Sequence, residues 1–125
     1  MNIGFYIKWD KHSINSSGNV IGDELYAESL CKSINKQFKS IRAELYAPNY
    51  LPDNKLDVII YMNDSPPNEK LSKCHYLYLQ NGYEYNIDQI VSSSLALEYD
   101  GYIFFSETIK KVFDEKAQNM EKSLF

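Results

Sequence analysis

Residues 16–38 read SSGNVIGDELYAESLCKSINKQF, and the reading of this stretch decides the fold. Gly18 and Gly22 stand in a run of serine and asparagine, which marks a loop. After it Ala27, Leu30, Cys31, Ile34 and Phe38 recur at the spacing that brings side chains onto one face of an α-helix. Asn19 or Asp23 is suited to cap that helix by accepting a backbone N–H. Before the loop, Asn2 to Trp9 alternates and is rich in Ile, Phe and Tyr, the pattern of a strand; Asp10 to Gly22 is polar connection. Strand, glycine loop and helix form the first unit of a parallel α/β sheet, in which ligands sit at the carboxyl ends of the strands beside the helix N-terminus.

Working outward, Ser40 to Ala47 reads as a second strand with Ile41, Ala43 and Leu45 on one face, and Pro48 to Asn54 as a proline-broken connector. Leu56 to Met62, LDVIIYM, is an unbroken apolar run, as expected of a strand buried on both faces. Ser65 before Pro66 and Pro67 predicts a short capped helix to about Lys73. His75 to Gln80 predicts a fourth strand. A loop with Gly82 follows, then a helix from Asn86, spaced like a capping box from Gln89, to about Glu98. Gly101 to Phe105 predicts a fifth strand. Ser106 caps a last helix with Ile109, Val112 and Phe113 on one face. Alternating strands and helices argue for one α/β domain spanning residues 1–125, a Rossmann-like parallel sheet of about five strands between helices as a three-layer sandwich. The expected strand order is 3-2-1-4-5, with the flavodoxin-like 2-1-3-4-5 as the alternative.

The bulk properties narrow the function. The chain has 125 residues, 44% hydrophobic and 24% charged, with a net charge of -4. This is ordinary globular composition, and the acidic balance argues against nucleic acid as a partner. No apolar run approaches the roughly 20 residues of a membrane helix, and the N-terminus lacks the basic and small-residue pattern of a signal peptide. Cys31 and Cys74 fall in apolar-periodic stretches and read as small core residues, which fits a reducing, cytoplasmic setting. The 11 tyrosines allow stacking on a sugar or base, or reflect strand propensity alone.

Chemistry has three candidate locations. The loop Ser16–Gly22 allows close backbone approach to an anion at a helix N-terminus. It matches neither G-x-G-x-x-G nor a P-loop, and a turn with a cap explains it equally well. Gln80 to Glu84 follows the fourth strand, where Gln80 and Glu84 are placed to hydrogen-bond sugar hydroxyls. Ser106, Glu107 and Thr108 follow the fifth strand, as a cap or as ligand groups. Asp10 lies at the same edge. His12 has no base–orienter partner, and no zinc or hydrolase motif occurs, so neither a catalytic residue, a metal nor a cofactor is assigned.

Taken together these corners resemble one family. The first strand with Ser17-Gly18-Asn19 is similar to the strand and Gly-Gly loop that open the N-terminal domain of GT-B-type glycosyltransferases of the retaining, family-4-like group. Glu28, Ser29 and Leu30 stand where that family carries "e-L-a-r-a-L". Tyr76 to Gln80 with Tyr83-Glu84 looks like its "Q-x-x-E" region. Tyr99-Asp100-Gly101-Tyr102-Ile103-Phe104-Phe105-Ser106-Glu107 resembles "a-D-x-i-i-x-x-S-e", the most specific match. Ser17 departs from the first glycine of the pair, and the family's frequent histidine after the fourth strand has no counterpart.

The resemblance implies an acceptor-side domain, with Gly18 and Asn19 lining the cleft and Gln80, Glu84 and Ser106 on its acceptor wall. The implied activity is hexosyl transfer from a nucleotide-sugar to a glycan or lipid-linked acceptor, as in polysaccharide biosynthesis. In the family the nucleotide-sugar pocket belongs to a second Rossmann-like domain. The expectation is that this C-terminal domain is absent here and that the chain alone has little or no activity until a second domain or subunit completes it. Two rivals stand beside this reading: a flavodoxin- or receiver-like nucleotide-binding or signalling domain, and a non-catalytic partner subunit.

Overall fold

The computed structural model describes residues 1–11, 21–63, 67, 69–79 and 99–123. The chain runs β1 (Asn2–Tyr6), α1 (Ile21–Gln37), β2 (Arg42–Tyr46), β3 (Leu56–Tyr61), β4 (Ser72–Leu79), β5 (Gly101–Phe104) and α2 (Glu107–Ser123). All five strands are parallel and lie in one sheet, so the fold is α/β as expected. The order is β2-β1-β3-β4-β5. This corrects the expected 3-2-1-4-5 and matches the flavodoxin-like alternative.

Side-chain chemistry explains the difference. The apolar run Leu56–Tyr61 needs cover on both faces and takes the middle of the sheet, between β1 and β4. β2 carries Arg42 and Glu44 along one face and suits an edge. The connector 47–55 therefore crosses past β1 rather than extending the sheet beyond β2.

The two faces are packed separately. On one, Ala27 and Cys31 of α1 press on Phe5, Ile7, Ala43, Leu45, Ala47 and Met62, with Leu30 and Ile34 at the margin. Burial pushes the Cys31 thiol up to about 11, so it stays protonated as a core residue. On the other face, Ile109 and Phe113 of α2 join Tyr6, Tyr46, Ile59, Tyr61, Leu77, Leu79 and Tyr99. Helices thus lie on both sides of the sheet. The buried tyrosines pack edge to face, Tyr6 on Tyr61 and Tyr61 on Tyr99, so much of the tyrosine content serves sheet packing.

Two sequence expectations need correction. Phe38 was placed on the buried stripe of α1 but is 50% exposed. The helix ends at Gln37, and although the Phe38 N–H still bonds to the Ile34 carbonyl, its ring sits beyond the last packed turn. The helix expected to reach Lys73 gives way to strand: β4 starts at Ser72. Buried Leu71 accepts the Leu56 N–H at its carbonyl, which commits this backbone to the sheet rather than to a helical turn. The cap and first residue of that expected helix, Ser65 and Pro66, and the helix expected over 86–98 lie outside the described residues. Asp23 lies inside the first turn of α1, so it is not the cap; Asn19 lies outside the described residues.

The outer edge of β2 has a specific guard. The Asn35 side chain on α1 accepts the Ala43 N–H at 2.7 Å and donates to the Ala43 carbonyl at 2.9 Å. Its amide thereby imitates a further strand and covers backbone groups that edge strands otherwise leave open. Asn35→Leu removes both bonds at once. The expected loss is about 1–2 kcal/mol, read as a lower urea midpoint at unchanged m-value, with increased self-association at high concentration.

Candidate functional site

Because the five described strands are all parallel, their carboxyl ends share one edge. Hydrogen bonds continue past the strands and fix that rim: Ile7 N–H to the Tyr46 carbonyl, Met62 N–H to the Tyr6 carbonyl, and Phe105 N–H to the Leu79 carbonyl, each about 3 Å. The chain reverses its direction of travel between β1, which leads to β2, and β3, which leads to β4. That point is where ligands of open α/β sheets bind.

The segment after β1 is held in place. The Lys11 N–H donates to Asn49 Oδ1 at 2.8 Å, and Asn49 Nδ2 donates back to the Lys11 carbonyl at 3.4 Å. The Lys11 ammonium lies 4.5 Å from the Tyr50 ring centre, a cation–π contact. Between Ile7 and Lys11, Trp9 is exposed, with the Lys8 ammonium over its ring, 5.3 Å from the centre. Asp10 acts on the phenol of Tyr6, which burial first and the Asp10 charge second hold above its ordinary value.

Of the residues expected to bind substrate, Ser106 is the one the structure describes. Its Oγ accepts the Ile109 N–H at 3.3 Å, and its carbonyl accepts the Lys110 N–H at 3.1 Å. It is the N-cap of α2, and a ligand at this place meets a hydroxyl whose oxygen already serves the helix. Ser106→Ala is expected to cost about 1 kcal/mol through loss of this cap, measured by thermal unfolding, with Ser106→Asp close to wild type. Gly18, Asn19, Gln80 and Glu84 lie outside the described residues, as does His12.

Sequence reasoning missed Glu24. This carboxylate is 3% exposed and its Oε2 is shut off from solvent. It stands one turn ahead of Ala27 on the buried stripe of α1, at the helix end that faces the carboxyl edge. The signal was available: an acid at helical spacing from Ala27 and Cys31 falls on an apolar stripe. Among the described residues, no three His, Cys, Asp or Glu side chains are grouped to hold a metal ion, and no helix is long and apolar enough to cross a membrane.

A cavity of about 220 Å³ opens away from the rim, over the start of β1 and β2, lined by Arg42, Glu44, Tyr46, Asp53, Lys55 and Leu56 among others. Glu44 accepts the Tyr50 hydroxyl at 2.7 Å and the Tyr46 hydroxyl at 2.9 Å. The Tyr50 bond foremost, then the Tyr46 bond, hold this carboxyl below its ordinary 4.5 despite partial burial. A depressed value in the fold means stability that is complete above about pH 4.5 and is lost as the pH falls through the lower folded value. Tyr50→Phe should therefore be less stable than wild type at pH 7, with the two denaturation midpoints converging as the pH falls through the lowered folded value. A constant difference across that range would show that Glu44 does not carry it.

Comparison with protein-family models, with curated proteins and with solved structures finds no match for this chain.

Proposed function

We propose that residues 1–125 form the acceptor-side half of a retaining GT-B-type glycosyltransferase, one wall of a cleft in which a sugar passes from a nucleotide-sugar to a glycan or lipid-linked acceptor once a donor-binding domain completes it. The observation that carries this reading is the rim. β1, β4 and β5, the strands that precede the segments resembling the family, are parallel and end at one edge of the sheet. The strand order is compatible with it. A Rossmann order of 3-2-1-4-5-6 without its outermost strand, renumbered, reads 2-1-3-4-5. Such a half orients the acceptor hydroxyl and excludes water, while stabilisation of the departing nucleoside diphosphate falls to the donor side. No catalytic residue is assigned to this half.

The strand order also favours a second reading, a flavodoxin-like nucleotide-binding module. Titrating the isotope-labelled chain with neutral and acidic oligosaccharides, a nucleotide-sugar and FMN separates the two by NMR. The glycosyltransferase reading expects saturable amide shifts with an oligosaccharide at residues 7–11 and 105–108. Shifts with FMN alone favour the module, and an absence of saturable shifts with every sugar ends the first reading.

A further inference from the structure

We propose that Trp9 is the platform on which a sugar ring of the acceptor stacks, and that Lys8 beside it selects a ring carrying a carboxylate or phosphate. The inference rests on the glycosyltransferase reading of the rim and adds the residue and the ligand charge.

Three observations converge on Trp9. Its indole is 51% exposed, while the aromatic rings of the sheet before it, Phe5 and Tyr6, are buried. It lies just past the end of β1, beside the point where strand connections change direction, which is the binding position of sheets of this kind. The segment that carries it is pinned on both sides, through Ile7 to the Tyr46 carbonyl and through Lys11 to Asn49. An aromatic ring held half in water on an anchored segment is already ordered for contact, so little conformational entropy is lost on binding. The apolar face of a pyranose meets such a ring, as other flat apolar groups do.

Charge supplies the selection. The Lys8 ammonium lies over the indole, 5.3 Å from its centre, and a sugar ring stacked on that face moves it aside to the stacked ring's edge, where an acidic substituent meets it. The chain as a whole carries -4, so this cation is set against the general field. A uronate or phosphorylated sugar gains an ion pair that a neutral sugar lacks. At the far end of the rim Phe105, 63% exposed after β5, offers a second apolar surface about 14 Å away at three strand spacings. An oligosaccharide, not a single ring, is the expected length.

The sequence holds one tryptophan, so indole emission reports on this residue alone. The full chain is titrated with a panel of acidic and neutral trisaccharides, trigalacturonate and maltotriose among them, by fluorescence and by calorimetry. A saturable emission shift is expected, with acidic members binding at least threefold more tightly. Trp9→Ala should weaken calorimetric binding about tenfold or more and Trp9→Phe much less. Lys8→Gln should abolish the acidic preference and leave neutral binding in place. Circular dichroism and the urea midpoint verify that each variant is folded. Binding by calorimetry with unmoved emission and a silent Trp9→Ala overturns the role of Trp9 and leaves the rim reading standing. Equal affinity for acidic and neutral members overturns the role of Lys8. Failure of the whole panel to bind overturns both the inference and the reading beneath it.

Discussion

Leu77→Ala should lower stability by about 3–5 kcal/mol. Leu77 has no exposed surface. It sits in the second half of β4, in register with Tyr61 on one side and Tyr102 on the other, within the cluster that α2 covers. Its neighbours are aromatic rings packed edge to face, which tilt but do not flow, so the vacated space stays open. Against a total stability of about 5–15 kcal/mol for a domain of ordinary size, the loss should shift the melting temperature by roughly 10 °C or more. Phe105→Ala is the control: its ring is 63% exposed, and the change should fall within about 0.5 kcal/mol. Equal effects at the two positions would mean that β4 is not the centre of the core.

The elements that could be read from the sequence are those whose signal is local. The stripe Ala27, Leu30, Cys31 and Ile34 is a helical face in any α/β arrangement, and it packs as such. LDVIIY demands burial on both sides wherever it is put, and it lies mid-sheet. The strand order is not local. It depends on whether the connector 47–55 turns outward or crosses β1, and that is decided by competition between Arg42–Tyr46 and Leu56–Tyr61 for the central place. Two prolines suggested a helix running to about Lys73, but proline marks where a helix can start and not how far it runs. The buried Leu71 and its bond to Leu56 are contacts that no local pattern announces.

The candidate site was legible to the same degree. Ser106 as a cap follows from a serine between an apolar strand and an amphipathic helix, and the cap is there. Trp9 was read as the tail of the first strand, because alternation continues through it. The ladder in fact ends at Ile7, and two residues further on the same apolar side chain faces water. Glu24 stands at helical spacing from Ala27 and Cys31, but an acid in a first helical turn is also what the helix dipole favours. Its burial beside Ala27 depends on how α1 lies across β1 and β2, a tertiary fact.

Gly4→Val is expected to cost about 3 kcal/mol, and the reason is distance rather than backbone freedom. A Cβ at Gly4 would stand 2.6 Å from Leu56 Cδ1 and 2.9 Å from Tyr46 Cδ2, inside van der Waals contact on both sides. Leu56 and Tyr46 are 5% and 6% exposed. Tyr46 cannot swing away freely: its ring stacks on Tyr50 at 5.5 Å and its hydroxyl is bonded to Glu44. Leu56 is the softer neighbour, since both it and Tyr46 border the 220 Å³ cavity, and a rotation into that space would absorb part of the strain. The double variant Gly4→Val with Leu56→Ala discriminates these contributions. Leu56→Ala alone should lose about 2–4 kcal/mol, yet the pair should be less destabilised than the sum of the two single changes by about 1–2 kcal/mol, because the added methyl groups fill the space the leucine leaves. Strict additivity in urea unfolding would place the strain elsewhere, and a Gly4→Val protein as stable as wild type would mean that β1 and β2 do not lie as close as their register requires.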